Sequence, residues 1–509
     1  MNRLPLYGSL GSKGGVASQS QIATIEGLKI LEQGGNAFDA ALTISSLLTV
    51  VLPNTSSVGG DGFLLAVDRN SDLIAYNGAG RSPQNMSVEE YLDEKPIRGS
   101  LTVTVPGLVD LWDWTNETHG SMNLGLLLDK ATSLARNGFP IQEPLAQAIE
   151  SNFPVLADYE SWGKVFGWMK TGSWGHFPRL ANVYSAVARN GRDAFYRSQL
   201  TEEIVKELNQ RGVPVTYQDF AEHQGNVVDP IECSYRDLDL YELPPNTQGL
   251  TTLQLLKATE TYELNNLPFG SAERIEEFFN LAMIVYEDRD RYVADPDYSK
   301  TPVEKLLSQA YLRKRLRIRP DSRGVLNPHD TTFFVVADGH GNLVGFIQSI
   351  FHAFGSGIVV HDIPFQSRGA GFAHRPGLPN SPAPRKRPLH TLSILLARGA
   401  DKGDLMIGCA GGDLRPQIHA EVLMNVVDYD MMLSKAVETP RYLLTSWREG
   451  IPKAVVEKAS WSELLPEWVD DAGYQSRKTG IVQAMRRSPD GLLEFVADSR
   501  GGGVAASIV

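Results

Sequence analysis

His329-Asp330-Thr331-Thr332-Phe333-Phe334-Val335-Val336 contains the point at which a polar loop changes into a strand. From residue 331 onward the residues are β-branched or aromatic, which is typical of β-structure. The turn Asp338-Gly339-His340-Gly341-Asn342 follows, and a second apolar run covers 343–350. The two runs predict a β-hairpin. By residue type alone, Thr331 and Thr332 are β-branched residues at the edge of a strand.

The segments around the hairpin predict a mixture of helices and strands. Apolar residues near helical spacing predict a helix over 20–31, which Gly34-Gly35 ends, and Asn36 is expected to cap the next helix. That helix, 37–50, is small and apolar nearly all round, so we expect it to be buried between other elements. Further strands are predicted over 63–67 and 392–397. Residues 100–290 are predicted to be mostly helical, with a long exposed helix over 273–291.

Length, charge and composition exclude several classes of protein. The 509 residues carry 48 Lys and Arg against 60 Asp and Glu, a net charge of −12, so a nucleic-acid partner is not expected. At 42% hydrophobic residues the chain is globular. The N-terminus lacks the apolar run of a signal peptide, and the most apolar window, 41–52, is too short to span a membrane. We expect a soluble cytoplasmic protein without a membrane partner.

Familiar catalytic and binding motifs are missing or misplaced. Cys233 and Cys409 are the only cysteines and cannot form a disulfide framework. Ser356 lies between adjacent glycines, whereas a nucleophile elbow has them two residues away on each side. No Walker loop is present, and no histidine pair has the spacing of a helical zinc site. The sequence therefore predicts neither a cofactor nor a metal.

Several motifs occur together in a characteristic order. They are Gly34-Gly35-Asn36-Ala37-Phe38-Asp39-Ala40-Ala41, Ser57-Val58-Gly59-Gly60-Asp61-Gly62-Phe63, the Thr331-Thr332 strand with Gly341-Asn342, and Gly411-Gly412. In order and spacing the chain resembles the γ-glutamyltranspeptidase family from about residue 15 to Gly503. The resemblance implies an N-terminal nucleophile hydrolase of class α+β, a four-layer αββα sandwich. It also implies one precursor that cuts itself before a threonine.

The resemblance assigns the cut to the Asp330–Thr331 bond. Cleavage there would leave an α segment, 1–330, and a β segment, 331–509, that together form one αββα unit. Thr331 is then the nucleophile, and its new α-amino group serves as the general base, because a threonine hydroxyl alone is a weak nucleophile. Thr332 is the second candidate, since the family uses the first threonine of the pair.

The same resemblance supplies the other catalytic residues. Gly411 and Gly412, at a strand-to-helix turn, are expected to donate backbone N–H groups to the oxyanion. Ser349 matches a family threonine whose hydroxyl holds the nucleophile's amino group, although a chance strand serine remains an alternative. Arg81 resembles the family arginine that grips a substrate carboxylate, but it lies about two residues closer to the following proline.

The substrate-binding positions depart from those of glutathione-cleaving members. Those members bind the glutamyl amino group with an acidic pair before a phenylalanine, where this chain has Arg368 ahead of Phe372. A cation there disfavours an ammonium group. His390 and Thr391 replace a family Ser-Ser pair, and Asp413 follows the glycines. These versions look like the oxamate amidohydrolase and acylase-like branch, so we expect Arg81 and Arg368 to clamp an anion, with Arg415 as a candidate to assist.

The sequence therefore predicts hydrolysis of the amide bond of a small carboxylate-bearing acid, with water as the acceptor. A γ-glutamyltransferase or glutathione hydrolase with a rearranged pocket is the first alternative. An uncut binding protein without a working nucleophile is the second. The two fragments of one precursor are the expected partners, and a further homo-oligomer stays open.

Overall fold

The structure is a computed structural model that describes residues 7–318, 320, 322–328, 331–458, 469–473 and 476–509. Asp330, one side of the predicted cleavage site, lies outside the described residues, as does His329. The strands are β1 (Ser9–Gly11), β2 (Gly14–Ser18), β3 (Asp61–Val67), β4 (Leu73–Asn77), β5 (Phe139–Pro140), β6 (Trp174–Gly175), β7 (Asn226–Val227), β8 (Ile231–Tyr235), β9 (Leu238–Glu242), β10 (Arg323–Val325), β11 (Thr332–Asp338), β12 (Leu343–Ser349), β13 (Val359–Val360), β14 (Ile363–Pro364), β15 (Leu395–Gly399), β16 (Gly403–Ala410), β17 (Tyr442–Arg448), β18 (Ile451–Glu457), β19 (Val469–Gly473), β20 (Ile481–Arg487), β21 (Leu493–Ala497) and β22 (Val504–Ile508).

The helices are α1 (Gln21–Glu32), α2 (Ala37–Val51), α3 (Val88–Glu94), α4 (Leu108–His119), α5 (Leu124–Asn137), α6 (Glu143–Leu156), α7 (Glu160–Phe166), α8 (Pro178–Asn190), α9 (Asp193–Tyr196), α10 (Gln199–Asn209), α11 (Tyr217–Ala221), α12 (Gly249–Tyr262), α13 (Ala272–Tyr292), α14 (Val303–Leu307), α15 (Gln309–Arg315), α16 (Arg415–Val427) and α17 (Leu433–Glu438). None of those in the described ranges is both long and apolar enough to cross a membrane.

Two seven-stranded sheets form the centre of the molecule. One has the order β22-β2-β11-β12-β3-β4-β7 and the other β1-β21-β20-β16-β15-β9-β8. The predicted hairpin is confirmed: β11 and β12 pair antiparallel in the middle of the first sheet, with Thr332 opposite Gln348. Both sheets take strands from 1–330 and from 331–509. A cut between residues 330 and 331 would therefore leave two fragments that share both sheets.

The side-chain alternation of the strands creates the layers. In β11, Phe333 and Val335 belong to a core between the two sheets, which also contains Met406 of β16. Phe334 and Val336 point to the opposite face and pack with α1, α2, α4 and α5. The outer face of the second sheet packs against α12, α13 and α16. Helices thus cover both outer faces of two stacked sheets, and the predicted αββα sandwich of class α+β is confirmed.

The buried helix predicted after Asn36 is present as α2. All fifteen of its residues are buried, and Asn36 caps it by accepting from the backbone N–H groups of Phe38 and Asp39. The exposed helix predicted over 273–291 is wrong, because α13 buries residues on most of its circumference under the second sheet. Its charged residues include buried arginines that have polar partners. From the polarity pattern alone, such residues predict a solvent-exposed face. The segment 226–242, predicted to be helical, supplies strands β7, β8 and β9.

Candidate active site

The hydroxyls of the two adjacent threonines have different surroundings. Thr332 Oγ1 lies 2.7 Å from both Thr55 Oγ1 and Ser56 Oγ, so it is held in a cluster of hydroxyls. Thr331 Oγ1 instead accepts a hydrogen bond from Arg415 Nη2 at 3.2 Å. Successive residues of a strand point to opposite faces, which separates the two hydroxyls. The backbone alternation therefore gives Thr331 and Thr332 different chemistry.

Ser349 ends β12 and is buried beside the start of β11. Thr332 pairs with Gln348, so the register continued by one residue sets Thr331 opposite Ser349. Directly opposed residues of an antiparallel pair point to the same face. The hydroxyl of Ser349 also accepts from the backbone N–H of Phe351 at 2.9 Å. The structure therefore brings Thr331 and Ser349 together.

Gly411 and Gly412 connect β16 to the helical turn that leads into α16. The φ of Gly412 is 54°, a left-handed conformation that favours glycine. The carbonyl of Gly412 accepts from the side-chain amide of Gln248 at 2.8 Å. This turn also leads directly to Arg415 at the start of α16, and Arg415 contacts Thr331. The glycines and the threonine hydroxyl thus belong to one site.

Arg368 is completely buried beside the site. Its Nη1 donates a long hydrogen bond of 3.4 Å to Thr391 Oγ1, and its guanidinium lies 4.4 Å from the centre of the Phe351 ring. Its Nε and Nη2 have no acceptor among the described residues. Unpaired guanidinium N–H groups are costly to bury. Arg368 therefore keeps two buried N–H groups unsatisfied beside Thr391.

Arg415 is the second buried cation of the site. Its Nε donates to the carbonyl of Cys409 at 2.9 Å, while Nη1 has no acceptor in the described part of the chain. No ion pair of the described residues includes either Arg368 or Arg415. Burial lowers the pKa of Arg368 to about 9, partly offset by Asp61, and burial also lowers the pKa of Arg415. Their surroundings therefore favour a bound negative charge.

Asp61 belongs to one of the quoted motifs, but the sequence did not assign it to the site. Among the carboxylates, it raises the pKa of Arg368 the most. Burial raises its pKa to about 6, against the opposing influence of Arg368. One oxygen accepts from Gln366 and from the backbone N–H groups of Gly80 and Gly107. The other lies 3.3 Å from His390 Nε2. Asp61 thus balances the buried cation without forming a direct ion pair with it.

His390, a predicted substrate-binding residue, is completely buried and faces Asp61. Its Nδ1 accepts from the backbone N–H of Leu392 at 3.3 Å, which leaves Nε2 to donate to Asp61. Burial, together with Arg368 and Arg415, lowers the pKa of His390 well below its usual value. The imidazole is therefore neutral, and its Nε2–H donates to Asp61.

A cleft of about 630 Å³ opens next to these residues. Its walls include Thr391 and Phe351, which both contact Arg368, and Asn327 and Pro328, which precede the predicted cut. Neither Arg368 nor His390 is among the lining residues. The lining residues are Ile97, Arg289, Asp290, Asn327, Pro328, Phe351, His352, Ala370, Gly371, Phe372, Ala373, His374, Arg375, Leu378, Asn380, Leu389, Thr391 and Asp413.

Two predicted substrate-binding residues have other partners. Arg81 does not reach this cleft: it lines a separate cavity and pairs with Asp295 at 3.3 Å and Asp297 at 2.6 Å. Asp413 lines the cleft, but both its oxygens are engaged, one by Arg289 at 2.7 Å and one by the backbone N–H of Asn327 at 3.0 Å. In the structure Arg81 thus lies outside this cleft with its guanidinium paired, and Asp413 lines the cleft with both oxygens engaged.

Comparison with known proteins gives the family. The γ-glutamyltranspeptidase family model matches residues 23–508. The chain is 32% identical to the glutathione hydrolase-like YwrD proenzyme of Bacillus subtilis and 30% identical to the oxamate amidohydrolase proenzyme of Klebsiella pneumoniae, in each case over 98% of this chain and 99% of the relative. Its fold superimposes on the crystal structure of a cephalosporin acylase from Bacillus halodurans with a TM-score of 0.89, at 27% identity and covering 100% and 98% of the two chains. The chain therefore belongs to the γ-glutamyltranspeptidase family, and it is a hydrolase of the type that acts on amide C–N bonds.

Proposed function

We propose that the chain is a self-processing N-terminal threonine amidohydrolase that cleaves the amide of a small carboxylate-bearing acid. The observation that carries this proposal is the pair of completely buried arginines, Arg368 beside Thr391 and Arg415 beside the hydroxyl of Thr331, each with N–H groups that no described residue accepts. A carboxylate would supply the missing acceptors and the missing negative charge. An ammonium group, as in a γ-glutamyl substrate, would be repelled.

Self-processing would begin when Thr331 Oγ attacks the carbonyl carbon of Asp330. The C–N bond breaks as the ester to Thr331 Oγ forms, which frees the amino group of Thr331, and water then hydrolyses the ester to give the carboxylate of Asp330 and the free hydroxyl of Thr331. Of the two threonines, Thr331 has its hydroxyl beside Arg415, whereas Thr332 keeps its hydroxyl in the cluster of Thr55 and Ser56. These surroundings support the assignment to Thr331.

Turnover would follow the same chemistry on an external amide. The amino group of Thr331 takes the hydroxyl proton as Oγ attacks the substrate carbonyl, and the backbone N–H groups of Gly411 and Gly412 stabilise the oxyanion. The amine leaves with the proton, and an acyl-enzyme ester remains. Water then attacks that ester and releases the acid. The 30% identical oxamate amidohydrolase proenzyme supports a small carboxylate-bearing amide as the substrate class.

The test compares Thr331→Ala with Thr332→Ala as neighbouring threonine variants. We expect Thr331→Ala to abolish self-cleavage and turnover, because it removes the attacking oxygen, while Thr332→Ala keeps part of each. A denaturing gel and N-terminal sequencing of the small fragment report the cut. Amine release from oxamate, a glutaryl amide and a γ-glutamyl anilide reports turnover. A fragment that starts at another residue would refute Thr331 as the nucleophile, and a clear preference for the γ-glutamyl anilide would favour the transferase alternative.

A further inference from the structure

Gln248 connects the two walls of the site, although no sequence motif pointed to it. Its side chain is completely buried. The Nε2 group donates to the carbonyl of Gly412 at 2.8 Å and to the carbonyl of Thr391 at 2.9 Å. One amide therefore spans from the predicted oxyanion turn to the residue that contacts Arg368. Its two donor hydrogens match these two acceptors.

Arg289 fixes the other end of the same amide. Its Nη1 donates to Gln248 Oε1 at 3.1 Å and to Asp413 Oδ1 at 2.7 Å. Because a guanidinium only donates, the oxygen of Gln248 is the acceptor, and the orientation of the amide is defined. Asp413 in turn exchanges two hydrogen bonds with the backbone of Asn327, each of 3.0 Å. The chain of contacts thus extends to the segment before the predicted cut.

The backbone of Gln248 is held to the same wall. Its N–H donates to the carbonyl of His390 at 2.9 Å, and the N–H of His390 donates to the carbonyl of Asn246 at 2.9 Å. Gln248 is therefore anchored by its main chain to the residue before Thr391, and its side chain reaches across to Gly412. A displacement of Gln248 would change the separation between these two parts of the site.

We propose that Gln248, oriented by Arg289, is a positioning residue that holds the Gly411–Gly412 turn at a fixed distance from Thr391. It does not touch the reacting atoms. The inference rests on the proposed function, in which the turn donates to the oxyanion and Thr391 belongs to the substrate side. A shift of about 1 Å in such a site can lower the rate about 100-fold.

The experiment uses Gln248→Glu, which keeps the shape and the acceptor for Arg289 but removes both amide donors. We expect kcat for oxamate to fall about 10- to 100-fold, because turnover uses this oxyanion turn in the proposed function. Gln254→Glu is the matched control. Gln254 is a buried glutamine of α12, the helix that Gln248 directly precedes, and it donates to Asp288 at 2.7 Å, away from the turn. Its variant should lose thermal stability with no change in kcat.

The outcomes separate a positioning role from a structural role. If Gln248→Glu and Gln254→Glu lose similar thermal stability and only the former loses kcat, Gln248 positions the turn. If Gln248→Glu turns over like the wild type while Thr331→Ala is inactive, the inference fails and the proposed function stands. If the wild-type protein neither cuts itself nor hydrolyses any amide of the panel, the proposed function fails first. Gln248→Leu, which removes donors and acceptor together, should be at least as slow as Gln248→Glu, and a faster Leu variant would overturn the proposal.

Discussion

Arg368 and Arg500 are both buried arginines, yet their surroundings differ in almost every respect. Arg500 donates from Nε to Glu457 Oε1 at 2.7 Å and from Nη1 to Asp498 Oδ1 at 3.0 Å, and its Nη2 donates to the carbonyl of Thr439 at 3.1 Å. Arg368 has a single hydrogen bond of 3.4 Å, and two of its three nitrogens have no acceptor among the described residues.

The pKa shifts of the two arginines have opposite directions. Burial lowers the pKa of Arg368 to about 9, with Asp61 only partly offsetting it. Burial acts the same way on Arg500, but Asp498 and Glu457 outweigh it and raise the pKa above its usual value. A buried charge that the protein neutralises is costly to remove because its partners stay buried, whereas one left without acceptors is characteristic of a site that receives a ligand. The same residue type is thus structural in one place and a candidate for binding in the other.

The largest expected difference is in the free energy of unfolding. The comparison uses Arg368→Met and Arg500→Met, each made in a Thr331→Ala background that keeps the chain uncut. Arg500→Met leaves Glu457 buried without its paired cation, while Asp498 keeps its ion pair with Arg441, so we expect a loss of about 3–5 kcal/mol in the free energy of unfolding. Arg368→Met removes a charge that has no direct ion pair and should lose much less. Urea denaturation measures both. Equal losses would show that the two arginines do not differ as described.

Asp61 gives a second difference, expressed in the pH dependence of stability. Burial raises its pKa from 3.8 to about 6, so the folded protein holds this proton more firmly than the unfolded chain. The corresponding stability is present below pH 4 and is lost as the pH rises through about 6. A shift of about two pKa units corresponds to a contribution of about 3 kcal/mol to the free energy of unfolding.

The control for this pH effect is Asp61→Asn, in the same uncut background, which should remove that part of the slope. Glu457 behaves in the opposite sense: although burial raises its pKa, hydrogen bonds from Arg500 hold it at about 2. Its contribution is present above pH 4.5 and is lost only as the pH falls toward 2. Asp113, whose pKa burial also raises to about 6, and Glu421, whose pKa burial raises to about 8, contribute to the slope between pH 4 and 7. The difference in slope between Asp61→Asn and its parent therefore isolates Asp61, and an unchanged slope would contradict the raised pKa.

The third expected effect is on substrate selection by the processed enzyme. Arg368→Met should lower kcat/KM for oxamate about 10- to 150-fold, since a charged hydrogen bond contributes about 1.5–3 kcal/mol. Hydrolysis of an uncharged amide of similar size should change little, and it serves as the control. Steady-state kinetics on both amides decide the matter. A parallel loss on both would assign Arg368 to general support of the site and not to recognition of a carboxylate.

The local elements were largely predictable from neighbouring residues. Continuous runs of β-branched and other apolar residues define the β11–β12 hairpin, and Asn36 caps the buried helix α2. Such features depend on contacts within a few residues, which the sequence displays directly. The family motifs extended this local information to the fold and to Thr331, Ser349 and the two glycines. Propensity failed for α13, where tertiary packing buries charged side chains that the pattern assigned to solvent.

The composition of the site depended on contacts between distant segments. Asp61 lies 329 residues from His390, and Gln248 lies 164 residues from Gly412. Nothing in the sequence near Asp61 or Gln248 shows these partners, and nothing near Arg81 shows that Asp295 and Asp297 hold it outside the cleft. The sequence by itself therefore determined the central hairpin, the cap of α2 and the residue types available for chemistry. Only the tertiary structure decided which buried charges are neutralised and which remain open to a ligand, because that depends on where the two sheets bring their edges and loops together.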